Sequence, residues 1–330
     1  MLEHGGNLRA AMAHYGGSAG DWLDLSTGLN PRGYPAPALG AEAWHRLPES
    51  DPALLLAAQT YYRAPRMLAV AGTQAAIQAL PLMRPACRVA VAAPAYAEHA
   101  HQWSRHGHAV SQVPWTALAD ALTLCDVMVV CNPNNPTGAT VPRDTLLEWA
   151  DRLAARGGWL IVDEAFADIT PELSVADASD RAGLIVLRSI GKFFGLAGIR
   201  VGFVGAQEQI LTPLENALGP WTVSGPAQQI ALAALRDTAW QDATHARLLA
   251  DGARLRRLLN RHEIASDGCA LFQWWPMDDP TAFHDHMAQR RIWVRLFADA
   301  ARGIRLGLPP DEQAWQRLKT ALTEWNERPR

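Results

Sequence analysis

Short runs of apolar, largely β-branched residues alternate along the first two thirds of the chain with stretches whose apolar positions recur every three or four residues. The runs at 67–71, 88–92, 126–131, 159–162, 184–187 and 201–204 are too short for helices and lack the polar alternation of a half-exposed strand. They are expected as strands buried on both faces, which occur in a mostly parallel sheet covered by helices. Between them, 73–83 and 144–155 have helical spacing; in the second, Leu146, Leu147, Ala150, Leu153 and Ala154 share one face. The fold class is therefore α/β.

Past Glu208 the pattern shifts to longer helical segments, clearest at 228–236 and 239–261, the second expected to link two domains. The tail reads as α+β, with strands at 270–275, 292–296 and 303–306 and helices at 281–290 and 311–325. The proline-rich stretch 31–37 is expected to be a loop or crossing segment. The organisation expected is an N-terminal arm (1–30) joining the small domain, a large domain (31–235) and a small C-terminal domain (236–330).

Composition narrows the partners. At 330 residues, 49% hydrophobic and 19% charged, the chain has the make-up of a globular protein rather than a disordered one. A net charge of -3 without any basic run gives no electrostatic basis for binding nucleic acid or an anionic membrane, so small molecules are the expected partners. No leader-like segment opens the chain and no apolar stretch is long enough to span a bilayer, so a cytoplasmic location is expected. Cys87, Cys125, Cys131 and Cys269 form no CxxC pair, so free thiols are expected and no metal site.

Lys192 is one of two lysines, the other being Lys319, among thirty basic residues. It lies in Ser189-Ile190-Gly191-Lys192-Phe193-Phe194-Gly195-Leu196-Ala197-Gly198-Ile199-Arg200. A lysine amine can form an imine with an aldehyde cofactor, and a desolvated setting makes it nucleophilic. An arginine-rich composition would by itself make any surviving lysine stand out. Asp163 closes the run 159–162, where open α/β sheets bind ligands; it suits a protonated pyridine nitrogen, or a helix cap. Cys131-Asn132-Pro133-Asn134-Asn135-Pro136-Thr137-Gly138 follows another strand and projects three amides from a fixed turn, a composition that turns also favour for conformational reasons. Gly72, Thr73 and Gln74 stand at a strand-to-helix junction suited to phosphate, with Ser189 and Arg200 as further phosphate ligands. Tyr96 offers a ring for stacking or for ordinary packing.

In this order, these segments resemble the fold-type I pyridoxal phosphate enzymes of the class I and II aminotransferase group. The resemblance implies a large domain with a mostly parallel sheet between helices, a smaller α+β domain, pyridoxal 5'-phosphate as cofactor, and a homodimer. It implies that Lys192 carries the cofactor as an imine, that Asp163 pairs with the pyridine nitrogen, and that Asn135 bonds the 3'-oxygen. Tyr96 would stack on the ring, and Gly72, Thr73, Gln74, Ser189 and Arg200 would hold the phosphate.

Within the group, His4-Gly5-Gly6-Asn7 followed by Asp24-Leu25-Ser26-Thr27-Gly28-Leu29-Asn30-Pro31 is similar to the opening of threonine-phosphate decarboxylases of cobalamin synthesis, relatives of the histidinol-phosphate aminotransferases. That resemblance implies decarboxylation of L-threonine O-3-phosphate to (R)-1-amino-2-propanol O-2-phosphate, the alternative being amino transfer on a phosphorylated substrate such as histidinol phosphate. It nominates Arg305, in Gly303-Ile304-Arg305-Leu306-Gly307, for the substrate carboxylate, and Arg295 with His4, Gly6 and Asn30 for substrate binding, Arg295 facing the phosphate. Two positions depart from the group: Phe166 and Leu47 stand where many relatives have tyrosines. A non-catalytic binding or scaffolding subunit is the reading of another class, and an intact Lys192 and Asp163 argue against it.

Overall fold

The computed structural model of the chain describes residues 5–298 and 301–328. It divides into two compact units, one built from residues 33–135 and 140–243, the other from residues 1–32, 136–139 and 244–330. The seven-stranded sheet of the first unit comprises β1 (Leu68–Val70), β2 (Arg88–Ala93), β3 (Ala109–Pro114), β4 (Val127–Cys131), β5 (Trp159–Asp163), β6 (Leu184–Ser189) and β7 (Gly202–Gly205). Their order is β1-β7-β6-β5-β4-β2-β3. Strands β2 to β6 run parallel, and β7 is antiparallel to both its neighbours.

The apolar runs of the sequence all fall on strands of this sheet. Val89, Val91, Val129, Ile161, Ile185 and Val204 meet Leu80 and Trp103 in one buried cluster. Burying each such side chain stabilises the unit by roughly 1.5–3 kcal/mol. Strand β3 was not expected: it is the edge strand, with Ser111 and Gln112 exposed, and so carries no apolar run. The stretch 73–83 is a helix, α1 (Thr73–Ala79), followed by a 3-10 turn (Leu80–Met83). Pro81 has no N–H with which to continue the α-helical ladder. Helices α2 (Ala97–Arg105) and α3 (Arg143–Ala154) follow β2 and β4 in the chain. Helix α4 (Thr238–Arg261) runs on from the first unit into the second.

In the second unit β8 (Asp267–Cys269), β9 (Phe272–Pro276), β10 (Arg295–Phe297) and β11 (Gly303–Gly307) form an antiparallel sheet in the order β10-β11-β9-β8. The single strand expected at 292–296 is two: Ile292–Trp293 pairs in parallel with Leu23–Asp24, and buried Val294 separates it from β10. The N-terminal segment is thereby tied to this unit, where the rings of Tyr15, Trp22 and Trp293 meet edge to face. Among the described residues, no helix is long and apolar enough to cross a membrane.

Candidate active site

Ser189, Gly202 and Val70 are register partners across β6, β7 and β1. The segments that leave these strands therefore emerge side by side: Gly191-Lys192 after β6, Arg200-Val201 before β7, Gly72-Thr73 after β1. Asp163 ends β5, and the asparagine turn follows β4. These are the carboxyl ends of parallel strands, where open α/β sheets gather ligands. A cavity of about 150 Å³ is lined by Gly72, Thr73, Gln74, Tyr96, Asn135, Asp163, Ser189, Lys192 and Arg200 together with Phe166.

Asp163 is buried, and its Oδ1 accepts from the Ala165 N–H at 3.1 Å. Its Oδ2 accepts from His99 Nε2 at 2.9 Å. His99, on α2, is itself buried and was missed in the sequence; its only signal there is its place three residues after Tyr96, close to one helical turn.

Gly72 has φ +72°, and a Cβ on it would lie 2.4 Å from Arg200 Nη2, so the missing side chain is what admits the guanidinium. Likewise a Cβ on Gly202 would lie 2.7 Å from the Thr73 nitrogen. Thr73 opens α1 behind a glycine cap with no side chain to satisfy the first helical N–H groups, which with the helix dipole favour an anion. The Gln74 side chain is turned elsewhere, donating to Glu98 Oε2 at 2.8 Å and accepting from the Tyr96 hydroxyl at 3.2 Å. Burial, with Glu98 and Asp163 nearby, pushes the Tyr96 phenol up to about 12, so it stays protonated. Ser189 Oγ accepts from the Gly191 N–H at 3.2 Å, bending the chain towards Lys192.

The three asparagines have different tasks. Asn132 exchanges hydrogen bonds with the Val141 backbone at 2.8 and 3.2 Å, and Asn134 donates to Pro94 O at 2.8 Å. These two fix the turn, while Asn135 lines the cavity. Lys192 Nζ lies 5.3 Å from the centroid of the Phe166 ring, an aromatic face where a tyrosine would carry a hydroxyl.

In the second unit, Arg295 and Arg305 are direct cross-strand partners on β10 and β11. Arg305 is buried, lies over the Phe272 ring and donates to Ser26 O at 2.6 Å. Burial and then the neighbouring Arg295 push its guanidinium down, so the pair favours an anion beside it. Ser26 Oγ accepts from the Gly6 N–H at 2.8 Å, which draws the N-terminal glycines to the same place. Asn30 is buried, and its Oδ1 accepts from the Arg32 N–H at 3.0 Å and from Arg247 at 3.3 and 3.4 Å. His4 lies outside the described residues.

Among the described residues, His99, Cys131 and Asp163 form one group whose ligand atoms lie within 4.8 Å of one another. Burial and Asp163 push the Cys131 thiol well above its ordinary range, so it is held as the neutral thiol.

A glycine-admitted guanidinium, uncapped helical N–H groups, a buried strand-end carboxylate and a lysine amine share one cavity, a set able to hold an anion, a protonated nitrogen and an imine-forming aldehyde. The profile of the aminotransferase class I and II family matches residues 39–302, and the chain belongs to that family. It is 52% identical over 99% of both chains to the threonine-phosphate decarboxylase of Pseudomonas aeruginosa. To the threonine-phosphate decarboxylase of a Sinorhizobium species it is 43% identical over 97% of both. The fold is shared with the histidinol-phosphate aminotransferase from Sinorhizobium meliloti solved in complex with pyridoxal-5'-phosphate (TM-score 0.83, 19% identity, 98% of this chain and 95% of that one).

Membership implies pyridoxal 5'-phosphate as the cofactor. The residues present fit it: the space kept open at Gly72 beside Arg200 suits the phosphate, and the buried carboxylate of Asp163 suits a protonated ring nitrogen.

Proposed function

We propose that the chain removes the carboxylate of L-threonine O-3-phosphate as carbon dioxide and returns a proton to the same carbon, giving (R)-1-amino-2-propanol O-2-phosphate. The observation that carries this reading is the 52% identity, end to end, with a relative named for that activity. Pyridoxal 5'-phosphate, when bound, supplies the electron sink that takes up the pair left by the departing carboxylate.

The chain's own residues would do the rest. Lys192 would hold the cofactor through its amine, and the Asp163 carboxylate, oriented by His99, would keep the ring nitrogen protonated. Gly72, Thr73, Ser189 and Arg200 would take the cofactor phosphate, Gln74 contributing through its backbone because its side chain serves Tyr96 and Glu98. Asn135 would donate to the 3'-oxygen, and Tyr96 would cover the ring. Arg305 would orient the substrate carboxylate, with Arg295, Gly6, Asn30 and His4 on the substrate's other groups. The amine of Lys192, once released, would deliver the proton to Cα.

Family membership is what supports a homodimer, and exposed Trp44, Leu47, Leu56 and Trp221 on the first unit leave apolar surface available for it. Sedimentation of the full chain tests this: a monomer at micromolar concentration overturns it. For the reaction, the holoenzyme is mixed with L-threonine O-3-phosphate, and carbon dioxide and keto acid are assayed separately. Equimolar carbon dioxide and amine are expected; keto acid without carbon dioxide would make the chain an aminotransferase.

A further inference from the structure

On the far side of the strand ends lies a charged cluster that the chemistry above does not use. Side chains alternate across a strand, so Asp163 and Ser189 reach the cavity while their neighbours Glu164 and Arg188 turn away from it. The Glu164 N–H, one residue past β5, donates to Leu187 O of β6 at 2.9 Å. Beyond that backbone bond, side chains tie the two strands: Arg188 Nη1 lies 2.7 Å from Glu164 Oε2 and Nη2 3.2 Å from Asp168 Oδ1. Glu164 is 0%, Arg188 3% and Asp168 7% exposed, which places the whole cluster in the interior.

Neighbouring groups fix each member. Glu164 also accepts from the Ser174 hydroxyl at 2.5 Å and the Val175 N–H at 2.7 Å. Tyr61 donates to Asp168 Oδ1 at 3.1 Å, and the guanidinium lies 4.4 Å over the Tyr62 ring. Desolvation offsets most of what such a buried cluster contributes to stability, while its geometry, one guanidinium nitrogen to each of two carboxylates, is specific. Its location gives that geometry a use. Glu164 follows Asp163 directly, and Arg188 precedes Ser189 and the turn to Lys192.

We propose that Arg188, Glu164 and Asp168 are positioning residues, which fix the distance between Asp163 and the Ser189–Lys192 segment and so hold the two attachments of one cofactor ring in register. The inference rests on reading Lys192 and Asp163 as cofactor residues.

Two mild variants test it on the holoenzyme. Glu164→Gln keeps the shape of the side chain and removes its charge; Tyr61→Phe removes one donor at the edge of the cluster. The readouts are the dissociation constant of pyridoxal phosphate and the visible circular dichroism per bound cofactor, which reports ring orientation, with melting temperature alongside. The dissociation constant is expected to rise about tenfold in Glu164→Gln and about threefold in Tyr61→Phe, as when an outer-shell partner is lost, and the dichroism to fall in both. Lower melting temperatures with unchanged affinity and dichroism would reduce the cluster to a structural one and overturn the proposal. Should Glu164→Gln not fold, Tyr61→Phe decides alone. A wild-type protein without a visible lysine-bound band, matched in affinity by Lys192→Ala, would instead refute the cofactor reading itself.

Discussion

His99 Nε2 and Asp163 Oδ2 stand 2.9 Å apart with both side chains almost wholly removed from water. The imidazole thus sets the direction of the carboxylate that faces the cavity. His99→Ala is expected to lower kcat/KM about 10- to 100-fold, by analogy with hydrogen-bond partners that orient the ligands of a metal, and His99→Asn, which keeps a donor, to lower it less. Steady-state kinetics at saturating cofactor measure both; equal and full activity would remove His99 from the site.

Gly72→Ala places a methyl group 2.4 Å from Arg200 Nη2 on a backbone at φ +72°. The guanidinium must leave, and the strained backbone, in a region only glycine adopts readily, costs about 1–3 kcal/mol. Weaker retention of pyridoxal phosphate is expected on dialysis, together with a melting temperature lower by a few degrees. Arg200→Ala should share the first effect and not the second.

Burial raises the Asp168 carboxyl against the opposing pull of Arg188, and its Oδ2 has no hydrogen-bond partner. A carboxyl raised in the folded state holds its proton more tightly there than in the unfolded chain. Its contribution to stability is therefore full below about pH 4 and lost as pH rises through the folded value. Asp168→Asn removes this dependence while keeping an acceptor for Tyr61 and Arg188. Thermal melts between pH 4 and 8 should show a flatter profile for the variant; a profile parallel to wild type would contradict the assignment.

Arg305→Lys exchanges a buried fork for a point charge, and Arg305→Met removes the charge. KM for L-threonine O-3-phosphate is expected to rise about tenfold in the first and about a hundredfold in the second. If KM stays unchanged in both, Arg305 does not meet the substrate carboxylate and its part is structural, as in its bond to Ser26 O.

The sheet was legible because its central strands are buried on both faces and read as unbroken apolar runs. Strand β3 was not, because an edge strand with exposed Ser111 and Gln112 has no such run and is defined by its pairing with β2. Lys192, Asp163 and Asn135 could be picked out since each follows a readable strand. His99 and Arg188 could not: one lies on a helix among other polar residues, the other reads as a charge that ends a strand, although β6 continues to Ser189 and buries it. Nor could sequence sort Asn132 and Asn134 from Asn135, because the difference lies in which backbone groups the turn brings within reach.

Strand β7 turns back against β6, so Ser189 pairs with Gly202 and the intervening residues 190–201 form a loop closed at its neck by the sheet. Closing so short a loop costs little entropy. Both Lys192 and Arg200 hang from it, one near each end, so the places of amine and guanidinium follow from the strand pairing at the neck. A residue inserted between Ser189 and Lys192, or between Arg200 and Gly202, would shift one grip against the other, whereas one inserted midway round the loop would leave both beside the neck.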